Sequence, residues 1–281
     1  MVEPGMLERE LREAVRIARR AGVIVLDVYA TDFSVAYKTK SDPVTEADTR
    51  ANTYIVKELR NAFPTDGVVA EETEDKSDGL RGGRCWYVDP LDGTKEFIAK
   101  NGEFAVMLGL AVDGVSTLGV VYQPEHDKLY AGVVGAGAYL EQRGERRELL
   151  VSNVDDPRDL ELVVSRSHRG KRIDEVMKKL GITQETRSGS VGLKIGLIAE
   201  QRADLYVHMS SKSSQWDACG PEAVLKAAGG RFSDLDGRAY RYGGIDMRND
   251  RGILACNAAA YDAVLPVVRQ VARRVGLIEG E

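Results

Sequence analysis

The sequence predicts an α+β fold, and three patterns of apolar residues carry that prediction. Two long segments near the N-terminus have helical spacing and alternate with short apolar runs. Residues 104–111, 117–123, 129–134 and 138–140 read as strands of an antiparallel meander, because Gly, Asp and Pro turns separate them. Beyond them, strands and helices alternate, which favours an α/β layer. Polar segments at 142–147 and 155–157 predict two lobes, 1–153 and 154–281.

The composition excludes several classes of protein. The chain has 281 residues, 43% hydrophobic and 30% charged, which is ordinary for a globular protein. A net charge of -5 without a basic stripe argues against a nucleic-acid polymer as partner. No apolar run approaches the roughly 20 residues of a membrane span, so we expect a cytoplasmic protein without a membrane partner. Cys85, Cys219 and Cys256 form no C-x-x-C pair and predict neither a disulfide framework nor a zinc site.

The N-terminal region is predicted to contain two helices separated by a strand and a loop. Residues 7–29 form the first helix, residues 33–37 a strand and residues 38–43 a polar loop. We interpret the lysines of this loop, Lys38 and Lys40, as solvated charges; closure of the loop over a metal site is the alternative. The second helix runs from about Thr45 to Phe63. Asp48 falls in its first turn, where spacing alone favours an acid that complements the helix dipole.

The stretch Trp86–Phe97 is the most informative part of the sequence. An apolar strand ends at Asp89 and Asp92, Gly93 allows a turn, and a helix begins at Thr94. A preceding strand, residues 68–70, ends at Glu71, so Glu71 and Asp89 meet if the two strands are neighbours. Carboxylates hold hard cations, and the free amides of a helix N-terminus hold phosphate. This strand-to-helix joint therefore predicts phosphoryl chemistry.

The second lobe is predicted to alternate strands and helices. In order, they are strand 160–165, helices 173–180 and 191–200, strand 203–208, helix 217–228, strands 231–233 and 253–257, and helix 259–275. Asp217 follows Trp216 at the start of a helix that Gly229 and Gly230 end. Spacing alone favours an acid at that helix N-terminus rather than a ligand.

The candidate ligands are all oxygen donors: Glu71, Asp89, Asp92, Asp217 and the Leu91 carbonyl. Histidine and cysteine are absent from this set, so it favours Mg²⁺ or Mn²⁺ over zinc. Several carboxylates around one point repel each other unless cations neutralise them. Two cations roughly 3.5–4 Å apart could hold the attacking water and the leaving oxygen of a phosphoryl transfer.

Taken together, these motifs resemble those of the inositol monophosphatase superfamily. Three motifs occur in that superfamily's order and extend over nearly the whole chain. They are the pair Glu71 and Glu72, the run Asp89–Thr94, and Trp216 and Asp217 leading to residues 228–230. The resemblance implies a layered α-β-α-β-α fold of the inositol monophosphatase/fructose-1,6-bisphosphatase type. It also implies a lithium-sensitive phosphatase, monomeric or homodimeric, that uses two or three Mg²⁺ ions, with Mn²⁺ as a possible substitute.

The resemblance also assigns roles to single residues. The positions matching the superfamily's metal ligands are Glu71, Asp89, the Leu91 carbonyl, Asp92 and Asp217. Thr94, hydrogen-bonded to Asp48, matches the residue that activates the attacking water, while the amides of Gly93 and Thr94 would hold the phosphate. These assignments replace the purely capping interpretations of Asp48 and Asp217.

Within the superfamily, Lys95–Ile98 resembles the 3′(2′),5′-bisphosphate nucleotidase branch, whose members convert 3′-phosphoadenosine 5′-phosphate to AMP in sulfur metabolism. Segments 163–168 and 188–194 are similar to that branch's nucleotide contacts, which implies substrate roles for His168, Ser190 and Lys194. An ordinary loop histidine remains an equal alternative for His168. His208 departs from the branch, in which many members have arginine at this position.

Two other functions stay open from the sequence. An inositol monophosphatase or fructose 1,6-bisphosphatase would use the same metal mechanism on a sugar phosphate. A non-catalytic phosphate or nucleotide sensor would keep the scaffold, although every expected catalytic position here carries a competent residue.

Overall fold

The computed structural model describes residues 7–39, 42–80 and 82–279. The helices are α1 (Glu8–Tyr29), α2 (Glu46–Ala62), α3 (Thr94–Ile98), α4 (Arg172–Leu180), α5 (Val191–Ala199), α6 (Gln215–Ala227) and α7 (Tyr261–Arg274). The strands are β1 (Val35–Thr39), β2 (Asp42–Thr45), β3 (Gly67–Ala70), β4 (Arg84–Asp92), β5 (Ala105–Val112), β6 (Val115–Gln123), β7 (Lys128–Val133), β8 (Gly137–Gln142), β9 (Glu145–Leu149), β10 (Glu161–Ser165), β11 (Gln184–Ser188), β12 (Leu205–His208), β13 (Ser213–Ser214), β14 (Arg231–Ser233), β15 (Arg248–Asn249) and β16 (Ile253–Cys256). The predicted helices are confirmed, with ends that differ by two residues or fewer. Within the described ranges, no helix has both the length and the apolar character of a membrane span.

The first sheet has seven strands in the order β3-β4-β5-β6-β7-β8-β9. The pair β3 and β4 is parallel, and the other pairs are antiparallel. The predicted meander is confirmed. The strands leading to Glu71 and Asp89 are neighbours, which was the condition for these two side chains to meet. The polar segment 142–147, taken from the sequence as a marker of the lobe boundary, ends β8 and begins β9. This edge strand is mostly exposed, so it lacks the apolar alternation that identifies buried strands.

The second sheet has five strands in the order β11-β10-β12-β16-β14. Here β10 runs parallel to β11 and β12, whereas β16 is antiparallel to β12 and β14. The sequence analysis missed β11. All five of its residues are polar, and the strand pairs on one side only. Apolar periodicity therefore gave no signal there.

Helices cover both faces of both sheets. Helices α1 and α2 pack on the outer face of the first sheet, and α5 and α6 lie between the sheets. On β10, Leu162 and Val164 face α4 and α7, whereas Val163 faces α5 and α6. This alternation is that of a sheet buried on both sides. The layers follow the α-β-α-β-α order expected from the resemblance.

Close backbone contact holds α6 against the first sheet. A Cβ atom at Gly119 would lie 2.0 Å from the carbonyl oxygen of Gly220, and one at Gly109 would lie 2.4 Å from the Gly220 nitrogen. The C-terminal half thus contributes a helix that packs directly on strands of the N-terminal half. The division into lobes 1–153 and 154–281 remains our proposal; it falls between β9 and β10.

The N-terminal hairpin differs from the prediction. Residues 38–43 were predicted as a loop, but Lys38 and Thr39 end β1, and Asp42 and Pro43 begin β2, antiparallel to it. Proline is tolerated because this two-stranded sheet consists only of edge strands. Lys40 lies outside the described residues. Cys85, Cys219 and Cys256 are free and buried.

Candidate active site

Asp48 caps its own helix and also reaches the neighbouring strand-to-helix joint. Its Oδ2 accepts hydrogen bonds from the backbone nitrogen of Thr45 at 2.8 Å and from the Thr45 hydroxyl at 2.6 Å. Its Oδ1 accepts one from the Thr94 hydroxyl at 3.1 Å. The residue is only 2% exposed, and burial raises the pKa of its carboxyl while the bonds from Thr45 oppose that shift. The capping interpretation and the pairing with Thr94 are therefore both correct.

The joint between β4 and α3 has the predicted strand–turn–helix form. Gly93 precedes α3 with φ 97°, and a Cβ atom there would lie 3.0 Å from the carbonyl oxygen of Glu103. Only glycine adopts this conformation without strain. At the end of β4, the Leu91 nitrogen donates to Asp89 Oδ1 at 2.9 Å. The turn thus brings the end of β4, with Asp89 and Asp92, directly to Thr94 at the start of α3.

The four predicted acidic ligands share one electrostatic environment. Burial raises the pKa of Asp89 well above its usual value, and the charges of Glu71, Asp92 and Asp217 add to the shift. Burial likewise raises the pKa of Asp217, with further contributions from Asp92 and Glu71. The pKa of Glu71 rises to about 7 through burial, although Lys38 opposes the shift. A hard cation among these oxygens would relieve the repulsion, so the donor set fits a divalent metal ion.

Each of these carboxylates is engaged by a protein donor. Ser190 donates its hydroxyl to Asp92 Oδ2 at 2.6 Å, and the Ser214 nitrogen donates to Asp217 Oδ2 at 2.7 Å. Within residues 7–39, 42–80 and 82–279, no group of three or more histidine, cysteine, aspartate or glutamate side chains is arranged to hold a metal ion. Binding an ion would require the carboxylates to exchange these donors for the cation.

Lys38 is the donor to the glutamate pair. Its ammonium lies 2.9 Å from Glu71 Oε1 and also contacts Glu72 Oε1. Lys38 is exposed, as predicted, but its ammonium is ion-paired with the glutamates rather than free. Closure of this loop over a metal site stays a prediction. The carboxylates attract the ammonium because their own charges are crowded together.

A group of basic residues borders the acids on the side of the second sheet. The Lys95 ammonium lies 2.7 Å from His168 Nε2. Lys194, which is 2% exposed, donates to the carbonyl oxygens of Gly189 at 2.8 Å and Ser190 at 2.7 Å. Burial lowers the pKa of Lys194 to about 8, while Asp92 opposes the shift. Lys194 therefore supplies positive charge and also holds the turn before α5.

His208 lies in the same region and is held neutral. Its Nδ1 is 3.3 Å from the Tyr206 hydroxyl, and its Nε2 is buried without a hydrogen-bond partner in the described part of the chain. Burial lowers the pKa of His208 to about 4, and the charges of Lys194 and His168 add to this. Asp92 and Asp217 contribute to the raised pKa of Tyr206, so this group adjoins the acids.

One organising residue was not found by sequence reasoning. Glu103 pairs with the Arg166 guanidinium through two contacts of 2.6 Å and accepts a hydrogen bond from the Gly189 nitrogen at 2.7 Å. It thereby joins the loop after α3 to the residue that follows β10 and to the residue before Ser190. A single glutamate in a polar loop carries no local signal of such a role.

Comparisons with known proteins agree with this arrangement. The profile of the Inositol monophosphatase family matches residues 6–273. The chain is 38% identical over 235 residues to the 3′(2′),5′-bisphosphate nucleotidase CysQ of Salmonella typhimurium, covering 83% of this chain and 93% of that enzyme. It is 31% identical over 250 residues to Inositol monophosphatase 1 of Solanum lycopersicum, covering 85% and 89%. The crystal structure of CysQ from Bacteroides thetaiotaomicron superposes with a TM-score of 0.76 at 30% identity, covering 89% of this chain and 97% of that one.

Proposed function

Because the chain belongs to the inositol monophosphatase family, we propose that it is a metal-dependent phosphatase that removes the 3′-phosphate of 3′-phosphoadenosine 5′-phosphate, giving AMP and phosphate. The observation that best supports this substrate is the 38% identity to a 3′(2′),5′-bisphosphate nucleotidase over 93% of that enzyme. The basic group around Lys95 and Lys194 supports it, because a bisphosphate carries a second anionic phosphate beside the one that is removed.

The proposed cofactor is Mg²⁺, in two or three ions, with Mn²⁺ as a possible substitute. Its ligands in this proposal are Glu71, Asp89, the Leu91 carbonyl, Asp92 and Asp217. When bound, such ions polarise the phosphate and lower the pKa of water. Burial, with repulsion from neighbouring acids, raises the pKa values of Asp89 and Asp217, and bound cations would relieve that repulsion, which supports this assignment.

Asp48 and Thr94 are proposed to position and activate the attacking water. The Thr94 hydroxyl donates a hydrogen bond to Asp48 Oδ1, so the lone pairs of its oxygen are left to accept a hydrogen bond from water. As the water attacks, its proton would pass to Thr94 while the Thr94 proton passes to Asp48. The water then keeps its own lone pair directed at phosphorus, as general base catalysis requires. The amides of Gly93 and Thr94 are proposed to hold the phosphate oxygens at the start of α3.

We propose that His168, Ser190 and Lys194 belong to the substrate side of the site. Lys194 keeps most of its positive charge at neutral pH with a pKa of about 8. His168 is paired with Lys95, and burial, together with the Lys95 charge, lowers its pKa, so it acts as a neutral imidazole. Ser190 acts mainly through Asp92, to which its hydroxyl donates.

The proposal also covers the location, the oligomeric state and the substrate class of the enzyme. The enzyme is proposed to be a cytoplasmic monomer or homodimer that acts on a small-molecule phosphate monoester. A nucleic-acid polymer is not the proposed substrate, because the net charge is -5 and no basic stripe offsets it.

The test is release of phosphate with Mg²⁺, in the presence and absence of lithium, from three substrates in parallel. These are 3′-phosphoadenosine 5′-phosphate, inositol 1-phosphate and fructose 1,6-bisphosphate. We expect a strong preference for the nucleotide and inhibition by lithium. Preference for a sugar phosphate would support the proposed mechanism but contradict the proposed substrate. A sugar phosphate is the second candidate substrate because the chain is 31% identical to an inositol monophosphatase. Binding of the nucleotide without release of phosphate would indicate a sensor instead.

A further inference from the structure

A cavity of about 470 Å³ lies beside α2, between that helix and the turn that follows β3. Asn52, Lys57, Arg60, Asn61 and Thr73 contribute its polar lining. None of them belongs to the proposed metal, water or substrate positions. The volume lies within the range of small-molecule sites in proteins.

Asn52 supplies an acceptor that has no donor. The residue is 7% exposed, and its Nδ2 donates to the Thr73 hydroxyl at 3.1 Å. Its Oδ1 is buried and accepts no hydrogen bond from the residues that the structure describes. Buried polar atoms are nearly always satisfied by protein, water or ligand, so this oxygen would gain a partner if a small rotation of the side chain turned it toward a donor in the cavity.

Two cations border the same cavity. Lys57 and Arg60 are three positions apart on α2, which places them on one face of the helix. Lys57 is exposed and makes no hydrogen bond or ion pair with any described residue. Arg60 is also exposed, and its guanidinium approaches Asp78 only at 3.7 Å. Lys57 therefore gives the rim a positive charge that is available to an anion, whereas the charge of Arg60 is partly offset by Asp78.

We propose that this cavity is a second binding site for a small organic phosphate that carries hydroxyl groups. Lys57 and Arg60 bind the phosphate, and Asn52 Oδ1 accepts a hydrogen bond from a hydroxyl after a small adjustment of its side chain. The charge of the rim selects a phosphate ester over a neutral polyol. The acceptor selects a hydroxylated ester over an anion without such donors.

The site adjoins two elements of the proposed active site. Asn52 lies one helical turn after Asp48 on α2, and Thr73 follows Glu71 by two positions. The hydrogen bond between Asn52 and Thr73 therefore ties the element that carries Asp48 to the turn that carries Glu71. A ligand that engages Asn52 contacts both elements.

Binding is measured by calorimetry on the full chain in excess EDTA, so the result does not depend on turnover or on the proposed function. The probes are glycerol 3-phosphate, inorganic phosphate and glycerol. We expect glycerol 3-phosphate to bind most tightly, with the side-chain amide resonance of Asn52 shifting in the ¹⁵N NMR spectrum. Lys57→Gln should weaken its binding at least tenfold, and Lys178→Gln, an exposed lysine on α4, should change it less than twofold.

Asn52→Leu should remove the preference for glycerol 3-phosphate over inorganic phosphate. If that variant fails to fold, Arg60→Gln replaces it and should weaken binding of both phosphates. The proposal is overturned if no probe binds, if Lys57→Gln binds like the unmodified chain, or if the shifts are confined to the amides of Gly93 and Thr94.

Discussion

The hydroxyl of Ser190 donates to Asp92 Oδ2 at 2.6 Å and thereby joins the start of α5 to the end of β4. Ser190 has φ 33°, and its oxygen also accepts a hydrogen bond from the Leu193 nitrogen at 3.1 Å, as the cap of α5. A positive φ is unfavourable for serine, so the surrounding contacts must hold it. The nitrogen of Gly192 adds a third contact, to Asp92 Oδ2 at 3.1 Å.

Replacing Ser190 tests whether this link orients a metal ligand. Ser190→Ala removes the bond to Asp92 and the cap of α5, so the free energy of unfolding should fall by about 1–2 kcal/mol. The Mg²⁺ concentration for half-maximal phosphate release should rise severalfold, because Asp92 is no longer held. Ser77→Ala, at an exposed serine, is the control. An unchanged Mg²⁺ requirement would contradict the orienting role.

Thr94 and Asp48 can be tested as a pair. Thr94→Ala removes the hydroxyl, and Asp48→Asn removes the charge that accepts its proton, so each should lower turnover roughly 100-fold or more. The double variant should be little worse than either single variant, because both changes disable the same step. Thermal unfolding checks that folding is preserved. Turnover near that of the unmodified chain in either variant would contradict the proposed role of Thr94 and Asp48 in activating water.

Lys38 competes with cations for Glu71 and Glu72. Lys38→Met removes the ammonium that contacts both carboxylates, so the metal-free protein should melt at a lower temperature. Mg²⁺ should bind it more tightly, by a factor on the order of 2–10, because no protein cation has to be displaced. Calorimetric titration of Mg²⁺ without substrate measures this, with Lys178→Met as control. Weaker Mg²⁺ binding would show that Lys38 assists the metal instead.

His208 should make stability depend on pH. Burial lowers its pKa to about 4 in the folded chain, whereas an unfolded imidazole titrates near 6.5. As pH falls below 6.5, the unfolded chain takes up this proton first, so stability declines until about pH 4, by up to about 3 kcal/mol. Urea unfolding at pH 7.5 and 4.5 should show a smaller decline in His208→Gln. Equal declines in both proteins would contradict a buried neutral His208.

The contact between α6 and the first sheet leaves no room for a side chain. Gly119→Ala would place a methyl group 2.0 Å from the Gly220 carbonyl oxygen and should destabilise the fold by roughly 3 kcal/mol or more. Gly170→Ala, where a Cβ atom meets nothing within 4 Å, is the matched control. Chemical denaturation compares the two, and equal stability would show that the layers can separate without cost.

The limits of the sequence prediction follow from where its signal lies. Buried strands and amphipathic helices were found because their apolar residues repeat with a fixed period. The strands β9 and β11 were missed because edge strands with polar residues lack that pattern. At Asp48, capping of the helix and pairing with Thr94 were treated as alternatives, yet one carboxylate has two oxygens and makes both contacts.

The sequence by itself determined the strand–turn–helix joint at Asp89–Thr94, the oxygen character of the candidate ligands and the resemblance to a phosphatase family. The joint depends on backbone preferences and residue types within a few positions, and the other two features depend on residue types and on the order of short motifs, so none of them requires the tertiary structure. Only the tertiary structure decided that Ser190 holds Asp92, that Lys38 reaches Glu71 and that His208 is buried and neutral. The partners in the first two contacts are far apart in sequence, and the pKa of His208 depends on desolvation, which arises only when the layers pack.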